Sequence, residues 1–477
     1  MSKLIGKIKS IPIEARASVA YTICSILQQG LSFITLPLFT RLLTTDEYGQ
    51  YSVYSSWSAI IAIFIALNLP YGSFMTAMVK YREERDKYIA SIQGIFLLLG
   101  AVFMAIYLPF HDIWNKLFDL PTAIIIIMVV EIMANTALQC WAGRKRYEYK
   151  YMSVIIVTMA ISVLAPVTAY IFVINSSEKG LARIVAYALI NILFGGYLLL
   201  YNFAKGKAIY SKKFWKYALG FNVPLIIYYL SQVAFNQMDK IMINHYCGMG
   251  KVGIYGVAQS LAMLMTFVLN AVNNSYVPWF YEKIAAGKQR DNRKIACYIA
   301  VLMAFLLMGV VSLAPEIILI LAGEVYGEAV WIVPPIALSV LLLFYAQLFI
   351  NVEFYYEEKK LLIYASVGAA ITNIILNSIL IPNISYIAAG YTTMISYILF
   401  AVANYLAMKR VLKKHHKEND MYQMGGLLLI LLGFMILCIL AMLLYNLPFI
   451  RYFIITVVLV SVGCSYKKIL NIVKEVR

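Results

Sequence analysis

Gln232–Ser260, QVAFNQMDKIMINHYCGMGKVGIYGVAQS, is the stretch on which the reading of the fold turns. It starts in an apolar run, carries the adjacent pair Asp239 and Lys240, breaks at glycines, and re-enters apolar sequence at Gly253-Ile254-Tyr255-Gly256-Val257. Ionisable side chains inside a segment long enough to cross a bilayer are costly unless they pair or line a hydrated cavity. The second half of the stretch also repeats an earlier one. Tyr48-Gly49-Gln50-Tyr51-Ser52-Val53 matches Val252-Gly253-Ile254-Tyr255-Gly256-Val257.

Working outward, the 477 residues are 62% hydrophobic and 13% charged, against roughly 25% charged for an average soluble domain. Apolar runs long enough to span a bilayer as helices recur along the whole chain. A membrane β-barrel would show short alternating segments instead. The chain therefore reads as an all-α polytopic membrane protein. About fourteen spans are expected, at 17–40, 50–73, 89–110, 121–142, 151–174, 181–203, 218–244, 254–280, 295–321, 331–352, 361–381, 387–408, 424–445 and 452–466.

The net charge of +17 raises the question of nucleic acid, and its distribution answers it. Of the 40 Lys and Arg residues, 33 fall in one alternating set of connections and tails and 6 in the other, with Lys240 left inside a span. Such a bias sets orientation, the richer side being cytoplasmic. It places both termini inside and excludes nucleic acid as a partner. The basic faces would also attract anionic headgroups of membrane lipids. The N-terminal MSKLIGKIKSIPIEAR reads as a retained cytoplasmic tail rather than a cleaved signal.

The repeat extends past the opening match. Gly49 and Gly253, Pro70 and Pro278, and Pro109 and Pro315 recur at offsets close to one another. Spans 1–6 and 7–12 are thus expected to form two pseudo-symmetric six-helix bundles, with two helices added. The expected boundaries are 1–210 for the N-terminal lobe, 211–420 for the C-terminal lobe and 421–477 for the additional helices. An even number of spans per copy gives both copies the same orientation.

Several spans carry polar residues at helical spacing on one face. These are Gln28, Ser32 and Thr35; Glu131, Asn135 and Gln139; Gln232, Asn236, Asp239 and Lys240; Asn270, Asn273 and Asn274; and Asn373 and Asn377. One reading is a hydrated transport cavity lined by these faces. The other is hydrogen bonding between packed membrane helices. Packing is favoured for any single amide, and the cavity for the charged positions. Glu131 falls near mid-bilayer, where a carboxyl is protonated or paired, and Lys240 is a candidate partner. The alternative for Lys240 is that its long stem lets it snorkel to the outer surface.

Catalytic and metal chemistry find no foothold. The six cysteines are scattered without metal or disulfide spacing, and the four histidines lie in or beside connections. No H-E-x-x-H, P-loop or G-x-S-x-G is present. Gly248-Met249-Gly250-Lys251-Val252-Gly253 fits G-x-G-x-x-G, but follows a membrane helix rather than a strand, so it reads as a turn. Many of the 37 tyrosines fall near span ends, as an interfacial belt would. No cofactor or catalytic residue is expected. An active transporter without an ATP site must draw on an ion gradient or the membrane potential, so the coupling ion would be H+ or Na+.

Three segments carry a resemblance to a known family. Thr40-Arg41-Leu42-Leu43-Thr44-Thr45-Asp46-Glu47-Tyr48-Gly49-Gln50-Tyr51 looks like the first outer loop of bacterial oligosaccharide flippases in the polysaccharide biosynthesis protein family. Asp239-Lys240-Ile241-Met242-Ile243 with Val252-Gly253-Ile254-Tyr255 resembles that family's mid-chain signature. Asn373-Ile374-Ile375-Leu376-Asn377-Ser378-Ile379-Leu380-Ile381-Pro382 with Ala388-Ala389-Gly390-Tyr391 resembles its span 11–12 pattern. The family signature often has Asp-Arg where this chain has Asp239-Lys240, and lysine lacks the bidentate fork that suits phosphate. The resemblance implies the multidrug and oligosaccharidyl-lipid exporter fold, with alternating access. It implies as substrate a polyprenyl-diphosphate-linked oligosaccharide, turned across a bacterial cytoplasmic membrane for surface polysaccharide synthesis. Polysaccharide polymerase and glycosyltransferases are then expected partners. The competing readings are a cation-coupled drug exporter of the same superfamily and a membrane polymerase or glycosyltransferase. The latter is disfavoured because no connection is long enough for a catalytic domain.

Overall fold

A computed structural model describes residues 12–358, 360–416 and 421–464, and among these residues every regular element is helical. Much of the basic N-terminal tail, the end of the 409–420 connection and the C-terminal tail lie outside the described residues. Contacts group the chain into two compact units, Met1–Gly253 and Ile254–Arg477.

The first unit contains α1 (Ile13–Leu42), α2 (Thr45–Ala66), α3 (Phe74–Lys80), α4 (Arg85–Tyr107), α5 (His111–Phe118), α6 (Thr122–Tyr147), α7 (Tyr151–Ile174), α8 (Lys179–Gly206), α9 (Lys212–Asn222) and α10 (Ile226–Cys247). It ends inside the first turns of α11 (Met249–Ala285). The second unit continues α11 and adds α12 (Asn292–Ser312), α13 (Ala314–Ala322), α14 (Val333–Tyr355), α15 (Lys360–Asn383), α16 (Ala388–Lys414), α17 (Met424–Leu443) and α18 (Pro448–Cys464). The boundary expected from the sequence is 210/211, whereas contacts divide the chain at 253/254; α10 groups with the first unit because it packs along α2.

Twelve helical stretches are long and apolar enough to cross a membrane by length and composition. The other two expected spans fall on α2 and α18. α2 opens with the polar turns TDEYGQYS, and the apolar part of α18 is short. Apolarity and burial part company here. The span ending in α14 is 89% buried along its apolar window, whereas the still more apolar α17 is 22% buried. In water the apolar face turns inward, but in a bilayer hydrocarbon can face lipid as readily as protein. α14 and α16 form the packed centre of the second unit, and α2 touches α4, α6, α8 and α10 in the first.

Local structure differs from the sequence reading in three places. Thr40–Tyr51 is helix rather than loop, apart from two residues. Thr44 caps α2 by accepting from the Glu47 backbone, while the Glu47 carboxylate accepts from Thr44 N at 2.8 Å. This reciprocal capping box satisfies two donors at the helix start. Pro70 and Pro278 are not structurally equivalent. α2 stops at Leu67 and Asn68, both with left-handed backbone, so Pro70 lies in a turn while Pro278 lies inside α11. Pro109 and Pro315 do correspond, each opening a new helical stretch after a long span. Third, the G-x-G-x-x-G is a one-residue break. Gly248, at φ +84, ends α10, while Gly250 and Gly253 are already helical.

Those helical glycines reveal the physical use of the repeated motif. A Cβ on Gly49 would overlap the Met249 carbonyl oxygen, and one on Gly253 would overlap that of Thr45. The overlaps are reciprocal, each glycine meeting the carbonyl one turn before the other. Small residues let membrane helices approach to backbone contact in this way.

Candidate functional site

The charged stripe residues of the first unit are held in two hydrogen-bond clusters, both anchored on α2. On α6, Glu131 is half-buried. One of its oxygens accepts from the Tyr54 hydroxyl of α2, and the other from Asn191 Nδ2 of α8 at 2.7 Å. Half a turn along α2 from Tyr54, Ser56 Oγ donates to Gln237 Oε1 of α10 at 3.0 Å. The same Gln237 oxygen accepts from Lys240 Nζ at 3.3 Å. Lys240 is 7% exposed and Asp239 2%, so Lys240 is not a snorkelling lysine.

The pairing of Glu131 with Lys240 suggested by the sequence is not formed. Glu131 accepts from a phenol and an amide instead, and Lys240 donates to an amide oxygen beside the carboxylate of Asp239.

The other stripe residues divide by environment. Asn135, one turn beyond Glu131, is exposed, and Gln139 is half-buried. Asn236 is exposed and donates to the Gln232 carbonyl at 2.7 Å; Gln232 is half-buried. Gln28 donates to Ser162 of α7 at 3.1 Å, a tie between two packed helices. In the second unit Asn351 donates to Asn273 at 3.0 Å, Asn377 to Asn373 at 3.1 Å, and the Thr392 hydroxyl to Asn377. These amides join helices, as the packing reading expects.

Sequence reasoning missed Tyr54, Ser56, Asn191 and Gln237. Asn191 carried a signal, a lone amide in the apolar run Leu189-Ile190-Asn191-Ile192-Leu193. It also missed two buried ionisable groups. Arg183 of α8 lies over the rings of Tyr51, Phe39 and Tyr48 at 4.2, 4.4 and 4.8 Å, and its Nε and Nη1 have no hydrogen-bond partner. Glu353, expected in a connection, is in the last turn of α14 at 1% exposure, with no hydrogen-bond partner for either oxygen. Among the described residues no three His, Cys, Asp or Glu side chains converge as a metal site would require.

The described residues thus form a bundle of apolar helices that holds ionisable side chains in its interior. The comparisons agree in fold. The chain superimposes on the lipid II flippase MurJ in its inward closed conformation with a TM-score of 0.66, covering 91% of this chain and 100% of that one at 14% identity. It superimposes on an inward-facing multidrug resistance MATE family transporter with a TM-score of 0.62, covering 83% and 99% at 13% identity. In sequence it is similar to Lsg locus protein 1 of Haemophilus influenzae, 24% identical over 373 residues, which are 74% of this chain and 88% of that protein. Residues 15–283, more than half the chain, match the model of the polysaccharide biosynthesis protein family. The chain belongs to that family.

Proposed function

We propose that this protein flips a polyprenyl-diphosphate-linked oligosaccharide across the bacterial cytoplasmic membrane by alternating access. The observation that carries the proposal is the family match of residues 15–283 on a chain folded like a lipid-linked-precursor flippase. The chemistry of the residues is compatible with it. A diphosphate headgroup needs fixed positive charge along a polar route, and Lys240 supplies a buried ammonium that donates to the neutral Gln237 oxygen. The glycan needs polar donors and acceptors, and Asn135, Gln139, Gln232 and Asn236 offer amides on helix faces. The lipid tail can remain in the bilayer. Glu131 is the proposed coupling group, binding or releasing H+ or Na+ between its two neutral donors. A polysaccharide polymerase and glycosyltransferases would act on either side of the transport step.

A second reading, a cation-coupled drug exporter, is favoured by the MATE likeness alone. Proteoliposomes loaded with labelled lipid-linked oligosaccharide separate the two. Flipping transfers the label between leaflets and changes its accessibility to an external glycan-cleaving enzyme at the rate of the imposed ion gradient. No transfer across several glycan types, together with gradient-driven uptake of cationic dyes, would replace the flippase with the exporter.

A further inference from the structure

A basic cavity of about 580 Å³ lies in the second unit. Among the described residues it is lined by the cations Lys283, Arg290, Arg293 and Lys294 with Asp291 as the one carboxylate. Asp291 pairs with Lys283 at 3.0 Å. The first turn of α12 and Gln423, the residue before α17, both face the cavity. Neither helix start is capped by a side chain. The positive ends of the two helix dipoles add to the charge of the side chains, and together they suit phosphate.

The walls are fixed from behind. Asn292 Oδ1 accepts from the Tyr276 hydroxyl at 2.5 Å, and its Nδ2 donates to the Met421 carbonyl at 2.9 Å. The Tyr422 hydroxyl donates to the Leu348 carbonyl at 2.7 Å. This buried network ties the end of α11, the start of α12 and the approach to α17 to one another. The cavity is therefore a preorganised feature and not a chance gap between loose basic side chains.

Its level along the helices indicates what enters it. Trp279 and Tyr298 border the cavity, and Lys283 lies over the Trp279 ring at 5.6 Å. Trp and Tyr mark the headgroup level of a bilayer. One turn beyond Tyr298, α12 exposes Val301, Leu302 and Phe305. Apolar surface directly above a cationic cavity is suited to a ligand with a phosphate at one end and a hydrocarbon chain at the other.

We propose that this cavity binds the phosphate of a membrane-embedded anionic lipid. The proposal is independent of the transport reading above. The phosphate can come from a bulk phospholipid such as phosphatidylglycerol or from a polyprenyl diphosphate, and the test separates these. Native mass spectrometry of the full chain, released from micelles titrated with phosphatidylglycerol, phosphatidylcholine, polyprenyl diphosphate or inorganic pyrophosphate, reads occupancy directly.

The expected result is retention of one anionic lipid in preference to phosphatidylcholine. Affinity should fall about ten-fold or more in the double variant R290Q/K294Q, because two charge-assisted contacts are lost. Arg290 and Lys294 are both exposed, so these changes do not threaten the fold. K212Q/K216Q, which removes the same charge from exposed positions in the first unit, should retain wild-type affinity. Tighter retention of phosphatidylglycerol than of polyprenyl diphosphate identifies a resident phospholipid, and the reverse order identifies the carrier lipid. Equal retention of phosphatidylcholine, equal loss in the two double variants, or pyrophosphate binding as tightly as either lipid would each overturn the proposal.

Discussion

At the scale of single residues, Glu131 poses the sharpest question. Its oxygens accept from Tyr54 and Asn191, so geometry and charge can be tested separately. Glutamine at 131 is the same size, still accepts from Tyr54, and meets an Asn191 amide that can rotate to offer its oxygen. Glu131→Gln should therefore leave folded protein at wild-type levels while abolishing export of surface glycan. Glu131→Leu should instead strand both donors and cost on the order of 1–3 kcal/mol of stability. Immunoblots for surface glycan beside thermal melts of the purified protein distinguish the two effects. Full export by Glu131→Gln would exclude an ionisable role for this position. The stripe Glu131, Asn135 and Gln139 was legible in the sequence because helical periodicity puts it on one face. Tyr54 was not, since nothing local separates a tyrosine that reaches a carboxyl 77 positions away from one in an interfacial belt.

At the scale of helices, the reciprocal fit of Gly49 and Gly253 makes a strong prediction. Alanine at either position puts a methyl group against a carbonyl oxygen, and backbone cannot yield as a flexible side chain would. Gly49→Ala should destabilise the first unit by about 1–3 kcal/mol, the usual cost of overpacking. Gly30, with no heavy atom near its hypothetical Cβ, is the matched control, and Gly30→Ala should leave the melting temperature unchanged or slightly raised. The sequence exposed this contact as a repeated Tyr-Gly or Val-Gly motif but not its meaning, because a repeat shows that two stretches are alike and not that they touch. Pro70 and Pro278 teach the opposite lesson. Their matching offset hides different backbones, since the left-handed residues Leu67 and Asn68 end one helix before its proline is reached.

The end of α6 shows how one helix terminus is tied to charge. Arg144 donates to Glu148 at 2.8 Å and also pairs with Asp86, and Lys150 pairs with Glu148 at 3.0 Å. Burial alone would raise the Glu148 carboxyl, but the hydrogen bonds and charges of Arg144 and Lys150 outweigh it and hold it at about 2. A carboxyl lowered from 4.5 contributes stability that is complete above that value and is lost as pH falls through about 2. Glu148→Gln should thus be less stable than wild type at pH 7, and the gap should narrow steadily as pH falls from 4.5 toward 2. A gap independent of pH in detergent melts would assign the loss to packing.

For the whole molecule, the fold was legible because its two governing signals are compositional. Apolar runs locate the helices, and the 33-to-6 division of Lys and Arg carries the expected orientation, which labelling can test. The number of crossings is the finer question, since α2 is partly polar and the apolar part of α18 is short. Their contributions to topology can be separated by parity. If α2 crosses, Arg82 lies on the same side as the N-terminus; if it does not, Arg82 is on the opposite side. If α18 crosses as well, the C-terminal tail returns to the side of the N-terminus and Asn446 lies opposite both. Both positions are exposed. In a background with the six native cysteines replaced, Arg82→Cys should react with an impermeant maleimide only after cells are permeabilised. Asn446→Cys should react in intact cells, and a C-terminal fluorescent reporter should mature in the cytoplasm. Labelling of Arg82→Cys in intact cells would show that α2 does not cross. A periplasmic C-terminus combined with surface-exposed Asn446 would remove α18 from the count, because one crossing lost reverses every segment after it and leaves those before it in place.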